Sequence, residues 1–438
     1  MKKIDVLKET IRSGLCNRCG SCVGLSEGKI VFNDREGAYL PDIIEEVDEK
    51  TAELINEVCS GRKFDFPVNR DRIFGADVLS HEYIGAYKDF SIGYATEEEI
   101  RRLAASGGIL TTILLFLLRS GEIDGAVVTR MSKTKPWLTE PVIAKTEEEI
   151  IAAAQSKYII TSVNEIIPEI SSFAGNLAYV GLPGQVQSIR SLQRLDHPAV
   201  RKIKYFFGPF YGNTLHFSSI VSFLRSHGIK DYTQIAKLYF RYGEWPGNMR
   251  VELKDGQIFQ MKKFYANYLI LFHIVKNSLL CTDLTNEFTD ISVGDAWAPV
   301  YEERGKGFSL IITRSDAGKR IIDKMKQDNL IETFPIDLDQ AIEMHSHGYD
   351  LKKRGSFIRL KFLRFLGRPV PDYGYRIDNF KMTRYLMEFM IDMLFLLCST
   401  RFARFVIDQI PPAFMGKVFE NARKRWKKGT RKIKTYKL

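Results

Sequence analysis

The chain is poor in the features that mark whole classes of protein. It has six cysteines in 438 residues, far too few for a disulfide-stapled scaffold. It lacks a long hydrophobic run. The longest uncharged, mostly apolar stretch is residues 103–118, and it contains Gly107 and Gly108; a membrane span needs about 20 residues. The opening MKKIDVLKETIRSG has a charge every few positions and no apolar core, so no secretory signal is expected. Internal repeats are lacking, and low complexity is confined to the C-terminal tail. A reducing cytoplasmic compartment follows as the default. Its cysteines are then free, catalytic or metal-bound.

What is present is ordinary globular material, 45% hydrophobic and 27% charged. At roughly 150 residues per domain, two or three domains are expected. The net charge is +11, but it is uneven. Lys417 to Leu438 holds ten basic residues and one acid, a local +9, which leaves +2 for the remaining 416 residues. A nearly neutral body argues against a nucleic-acid-binding domain, and no nucleic-acid partner is expected.

Residues 81–200 alternate helix and strand. EEEIRRLA leads into SGGILTTILLFLLRSG, a helix ended by Gly121. IDGAVVT and NLAYVGLP read as buried strands. Thr146 before three acids is an N-cap with the dipole satisfied. Residues 201–330 add the strands KIKYFFG, AKLYFRYG, FTDISVGDAW and FSLIITRS, and a hairpin that turns at Asp255–Gly256. This alternation predicts an α/β fold with a mixed sheet. Residues 331–374 read as connecting structure, and 375–438 as helical and then basic.

The strongest signal is CNRCGSC, which holds Cys16, Cys19 and Cys22. Three thiolates at three-residue spacing can wrap one cluster, with the fourth ligand from elsewhere. Cys59 is the only other cysteine in the first 280 residues. One [4Fe–4S] cluster on Cys16, Cys19, Cys22 and Cys59 is therefore expected. Zinc is the competing metal, although structural zinc more often uses two separated pairs. Ser60 follows Cys59 where bacterial ferredoxins carry proline. His345 and His347 read more simply as a loop or core pair than as a metal site, and Cys398 as core.

Four further segments suit a phosphate-bearing cofactor. ASGGILTTIL places Gly107 and Gly108 at a helix entry, where a ligand can approach the backbone. QSKY sets Ser156, Lys157 and Tyr158 together. VGLPGQ is a strand-to-turn element of the kind that meets ligands in α/β sheets. DISVGDAW ends in Gly294–Asp295. Taken singly, each has a bland alternative: a helix start, a solvated helix end, or a turn.

In series they resemble the coenzyme F420 hydrogenase/dehydrogenase β-subunit family, in order, from about residue 10 to about residue 325. The resemblance implies an oxidoreductase with FAD and iron–sulfur. Its flavin would pass electrons between the cluster and F420 or another two-electron acceptor or substrate. Domains follow: an iron–sulfur, ferredoxin-like module (1–80), a flavin-binding α/β domain (81–200), the family's C-terminal domain (201–330), a connecting segment (331–374) and a basic helical tail (375–438). By resemblance, flavin contacts fall on Ser106, Gly107, Gly108, Thr111, Ser156, Lys157, Tyr158, Gly181, Pro183, Gln185, Gly294 and Asp295. Lys157 would meet a phosphate or the reduced flavin. No catalytic acid is assigned.

The departures matter too. Where relatives often carry cysteines for a second cluster, this chain has Gly184, Gly208 and Ser278, and only Cys281 survives. One cluster is expected, with Cys281 a small buried residue. The implied partners are a redox protein, in a homo- or hetero-oligomer, or a deazaflavin- or nicotinamide-type carrier. Reductive modification of a glycan or lipid intermediate is the alternative activity, and an electron-transfer or docking subunit the non-enzymatic one. The tail mixes Phe414, Met415, Val418, Phe419 and Trp426 with Lys and Arg. Residues 413–438 could hold the protein at an anionic membrane surface, at the inner face; equally, they could pack on the body.

Overall fold

The computed structural model describes residues 2–33, 39–302 and 306–434. Fifteen short strands are found among these residues. β1 (Ile30–Asn33) and β2 (Leu40–Ile43) pair antiparallel near the N-terminus. β3 (Ser80–His81) and β4 (Gly85–Ala86) form a small bridge. The main sheet uses β5 (Asp89–Ala95), β6 (Gly125–Met131), β7 (Thr139–Ala144), β8 (Leu177–Val180) and β9 (Ile203–Pro209). It continues with β13 (Ile291–Asp295), β14 (Ser309–Thr313) and β15 (Ile331–Pro335). A separate antiparallel sheet holds β10 (Ile235–Tyr242), β11 (Asn248–Leu253) and β12 (Ile258–Lys262).

The main sheet runs β15-β5-β14-β13-β9-β8-β6-β7. Its centre, β13-β9-β8-β6, is parallel, and its flanks are antiparallel. The fold is therefore α/β with a mixed sheet, as expected. Strands from 81–200 and 201–330 interleave in one sheet, and β15, from the supposed connector, forms its edge. IETFP is too short and too exposed on one side to announce itself as a strand. The rest of the 331–374 segment also holds helices, including Ser356–Phe365.

Helices cover both faces, as a buried parallel centre requires. Ile109–Arg119 and Asp316–Gln327 pack on one face through Ile113, Leu117, Ile321 and Met325. Pro183–Arg194 packs on the other through Val186, Ile189 and Leu192, together with Leu15, Val58 and Phe66 from the N-terminal segment. Thr146 caps Glu147–Ala152 by accepting from the Glu149 N–H. The C-terminal helix Pro412–Lys434 lies against Lys263–Ala266, with Gly416 pressed on Tyr265.

Candidate functional site

A cavity of about 890 Å³ opens at the carboxyl ends of β6, β8, β9 and β13. This is where open α/β sheets place ligands, and the volume suits a cofactor-sized guest. Ten of the twelve expected contacts lie on its wall: Ser106, Gly108, Thr111, Ser156, Lys157, Tyr158, Gly181, Gln185, Gly294 and Asp295. The exceptions are Gly107 and Pro183. Gly107 sits behind the wall, where a Cβ would crowd the Gly93 carbonyl and Ser309. Pro183 is a buried first residue of its helix. Gly108 caps Ile109–Arg119 in the left-handed region, at φ 83°. It thereby presents a helix N-terminus to the cavity, where unpaired N–H groups favour an anion.

Arg241 of β10 ties these separate segments together. It is 2% exposed. Its Nη2 donates to the Ala105 carbonyl at 2.5 Å and to Asp295 Oδ1 at 3.0 Å. Its Nη1 donates to the Tyr158 hydroxyl at 3.1 Å and its Nε to the Pro246 carbonyl. Trp245 Nε1 donates to the same Asp295 oxygen at 2.9 Å. Burial would raise the Asp295 carboxyl, but Arg241 and Lys263 outweigh it and hold it below the ordinary carboxylate range. The Tyr158 hydroxyl is lowered in the same way, against burial, by Lys263 and Arg241. Arg241 carries no motif; only its β10 position and the folded chain reveal it.

Lys157 Nζ donates to the carbonyls of Ala153, Ala154 and Gln155 at 2.5, 2.6 and 3.1 Å. It caps the end of Glu147–Ala152 from the cavity wall, and burial lowers its pKa to about 7. His345 and His347, expected to be a loop or core pair, also line the cavity. His345 Nε2 pairs with the Asp295 carbonyl at 2.8 Å, and its ring packs on Phe210. The opposite lip is cationic: Lys263 faces Arg423, Lys424 and Lys427 of the C-terminal helix, with Glu420 the acid among them. The tail thus packs on the body and reaches the cavity. Residues 435–438, part of the expected membrane segment, lie outside the described residues.

The four N-terminal cysteines lie near one another, Cys16 and Cys19 buried and Cys22 and Cys59 half-buried. Burial raises the Cys22 thiol well above its ordinary value, and Cys16, Cys19 and Cys59 add to the effect. Burial, then Cys19 and Cys16, push Cys59 up to about 12. Gly61 lets the Cys59 loop press on the Leu15 backbone, and Gly20, at φ 99°, lets the CNRCG loop press on residues 162–165. Among the described residues, no group of three or more Cys, His, Asp or Glu side chains is already arranged to hold a metal ion. Asn164 connects this place to the cavity. Its N–H donates to the Cys19 carbonyl at 2.8 Å, and its Nδ2 to the carbonyl of the cavity residue Gln185 at 3.1 Å.

The positions singled out in the sequence for a second cluster, Gly184, Gly208, Ser278 and Cys281, are packed among polar groups. A Cβ on Gly184 would overlap the Asn17 amide, and one on Gly208 the Asn286 amide and the Gly181 carbonyl. Ser278 Oγ pairs with the Tyr211 hydroxyl at 2.7 Å and accepts from the Thr214 N–H at 3.1 Å. Buried Lys352 donates to the Ser278 carbonyl at 2.7 Å and lies over the Tyr211 ring. Cys281 is buried beside them.

Fold and site together define an α/β protein with a cofactor-sized cavity at its strand ends and a buried thiol cluster against its wall. Family models described as coenzyme F420 hydrogenase/dehydrogenase beta subunit match residues 91–168 (N-terminal) and 174–339 (C-terminal). The chain belongs to this family. It is 26% identical over 333 residues to the coenzyme F420-dependent sulfite reductase of Methanocaldococcus jannaschii, covering 72% of this chain and 46% of that protein. The chain therefore spans about half the length of that relative. It is 28% identical over 262 residues to the coenzyme F420 hydrogenase subunit beta of Methanothermobacter thermautotrophicus, covering 58% and 86%. Its fold matches a chain of the F420-reducing [NiFe] hydrogenase complex from Methanosarcina barkeri with a TM-score of 0.52 at 23% identity, covering 65% of this chain and 96% of that one.

Proposed function

We propose that the chain is the flavin-bearing subunit of a cytoplasmic oxidoreductase, with FAD in the cavity and one [4Fe–4S] cluster in an N-terminal ferredoxin-like module. The observation that carries this reading is the shared wall: Asn164 joins the backbone of Cys19 to Gln185 on the cavity. A cluster and a flavin held on the two sides of that wall would be close enough to exchange electrons. The residues fit both groups. Four thiols lie near one another, the donor set of a four-iron cluster, and the helix N-terminus at Gly108 offers a phosphate seat.

Bound flavin would supply the exchange between one-electron and two-electron carriers. The chain's own part is positioning. Arg241 fixes Asp295, Tyr158 and the 105–108 turn as one rigid unit. Lys157 holds the 153–155 carbonyls away from the guest. Trp245, Trp297 and Phe264 form an aromatic shelf at the mouth, with ring centroids 5.2–5.6 Å apart. The cationic lip of Lys263, Arg423, Lys424 and Lys427 favours an anionic two-electron reactant, of which F420 is the first candidate. A redox partner protein would exchange electrons with the cluster. The Gly184, Gly208 and Ser278 packing supports a single cluster.

Anaerobic titration of the cofactor-loaded protein with reduced F420 tests the reading. The flavin absorbance should bleach, and Arg241→Met should abolish the response. Flavin that stays oxidised under excess reduced F420 removes F420 as reactant; absence of bound flavin overturns the reading itself.

A further inference from the structure

Beyond residue 339, where the family match ends, the chain builds a helix turned inside out. Soluble helices bury an apolar stripe and expose charge. Met382–Cys398 does the reverse. Its charges point inward: Arg384 is fully buried and pairs with Asp350 at 2.9 Å and Glu388 at 2.5 Å, and Arg359 reaches Asp392 at 2.6 Å. Its apolar residues point outward. Leu386, Phe389, Met390, Leu394 and Leu397 recur at three- and four-residue spacing on one face and are 47–60% exposed. The next helix, Arg401–Ile407, continues the face with Phe402 and Phe405, 77% and 65% exposed. The neighbouring Ser356–Phe365 helix contributes Phe365, 85% exposed.

We propose that this face docks on an anionic lipid bilayer. Exposed contiguous apolar surface of this extent marks an interaction site, and the surrounding charge selects the partner. Between residues 361 and 406 the exposed charged residues are Lys361, Arg364, Arg368, Arg376, Lys381 and Arg401 against Asp372 and Asp378. Exposed cations in excess along the same stretch as the exposed apolar residues suit acyl chains beneath anionic headgroups. No helix among the described residues is long and apolar enough to cross a membrane, so the helix pair lies along the surface. The face is distinct from the basic C-terminal helix, whose cations line the cavity. The proposal does not depend on the cofactor reading.

Co-sedimentation of the full chain with vesicles of phosphatidylcholine, with and without 30% phosphatidylglycerol, tests it. Wild type should pellet with the anionic vesicles and be released by 0.5 M salt. The variant L386S/F389S/L394S/L397S should bind at least tenfold more weakly. A second variant, R364S/R368S/R401S, keeps the apolar stripe and should lose the preference for phosphatidylglycerol. Absence of binding to anionic vesicles, or equal binding by wild type and both variants, overturns the proposal. So does a lipid-free dimer, seen by light scattering, that the first variant dissociates, because a second copy would then cover the face.

Discussion

The N-terminal cysteines and the surroundings of Gly184, Gly208 and Ser278 are packed in opposite ways. In one, Cys16, Cys22 and Cys59 lie in surroundings where burial raises their thiols and neighbouring cysteines add to the effect. Such a group is costly as free thiolates and makes sense around a cationic metal cluster. In the other, Asn17 and Asn286 amides fill the space beside Gly184 and Gly208, Ser278 is bonded on two sides, and Lys352 brings a buried positive charge. Most of its hydrogen bonds are made within the chain, and the buried Asn286 Oδ1 is left without a partner among the described residues.

The comparison can be broken most sharply at the first pocket. Cys19→Ser should reduce iron from about four atoms per chain to near zero, by colorimetric iron assay, while flavin stays bound. Next is the unit that both readings share. Arg241→Met leaves the half-buried Asp295 with only Trp245 as a side-chain donor and should lower stability, read as a shift in the urea midpoint, with loss of flavin. At the second pocket, Gly208→Ala places a methyl against the Asn286 amide and should destabilise by about 1–3 kcal/mol, read by thermal denaturation. The smallest effect belongs to Cys281→Ala, which should leave iron content unchanged. A fall in iron there would mean that Cys281 is a ligand and that the two pockets are not separate.

Much of this was legible in the linear chain because it is local. The cysteine triplet, the Gly108 helix entry, the Asp255–Gly256 hairpin and the Thr146 cap each depend on residues a few positions apart. The parallel centre of the sheet could be read from its Val- and Ile-rich strands. Long-range convergence could not. Arg241, Trp245, Lys263 and His345 have no motif, and they become site residues only because β10, the 263–266 turn and the 345–348 segment close over the strand ends. Lys157 lies on the cavity wall as expected, and three helix-end carbonyls, which the sequence does not reveal, also accept from its ammonium. The tail's composition, Lys and Arg mixed with Phe and Trp, left membrane binding and packing on the body equally open. Folding divides the roles, placing cations at the cavity and the exposed apolar face some 30 residues earlier in the chain.

The central claim is that one pocket holds a cluster, the other holds none, and the cavity between the strand ends holds flavin. Cofactor quantitation on anaerobically purified full-length protein tests it most directly. The account predicts one FAD and about four irons per chain, with flavin bands over a broad iron–sulfur shoulder in the visible spectrum. About eight irons, or a colourless protein, would contradict it.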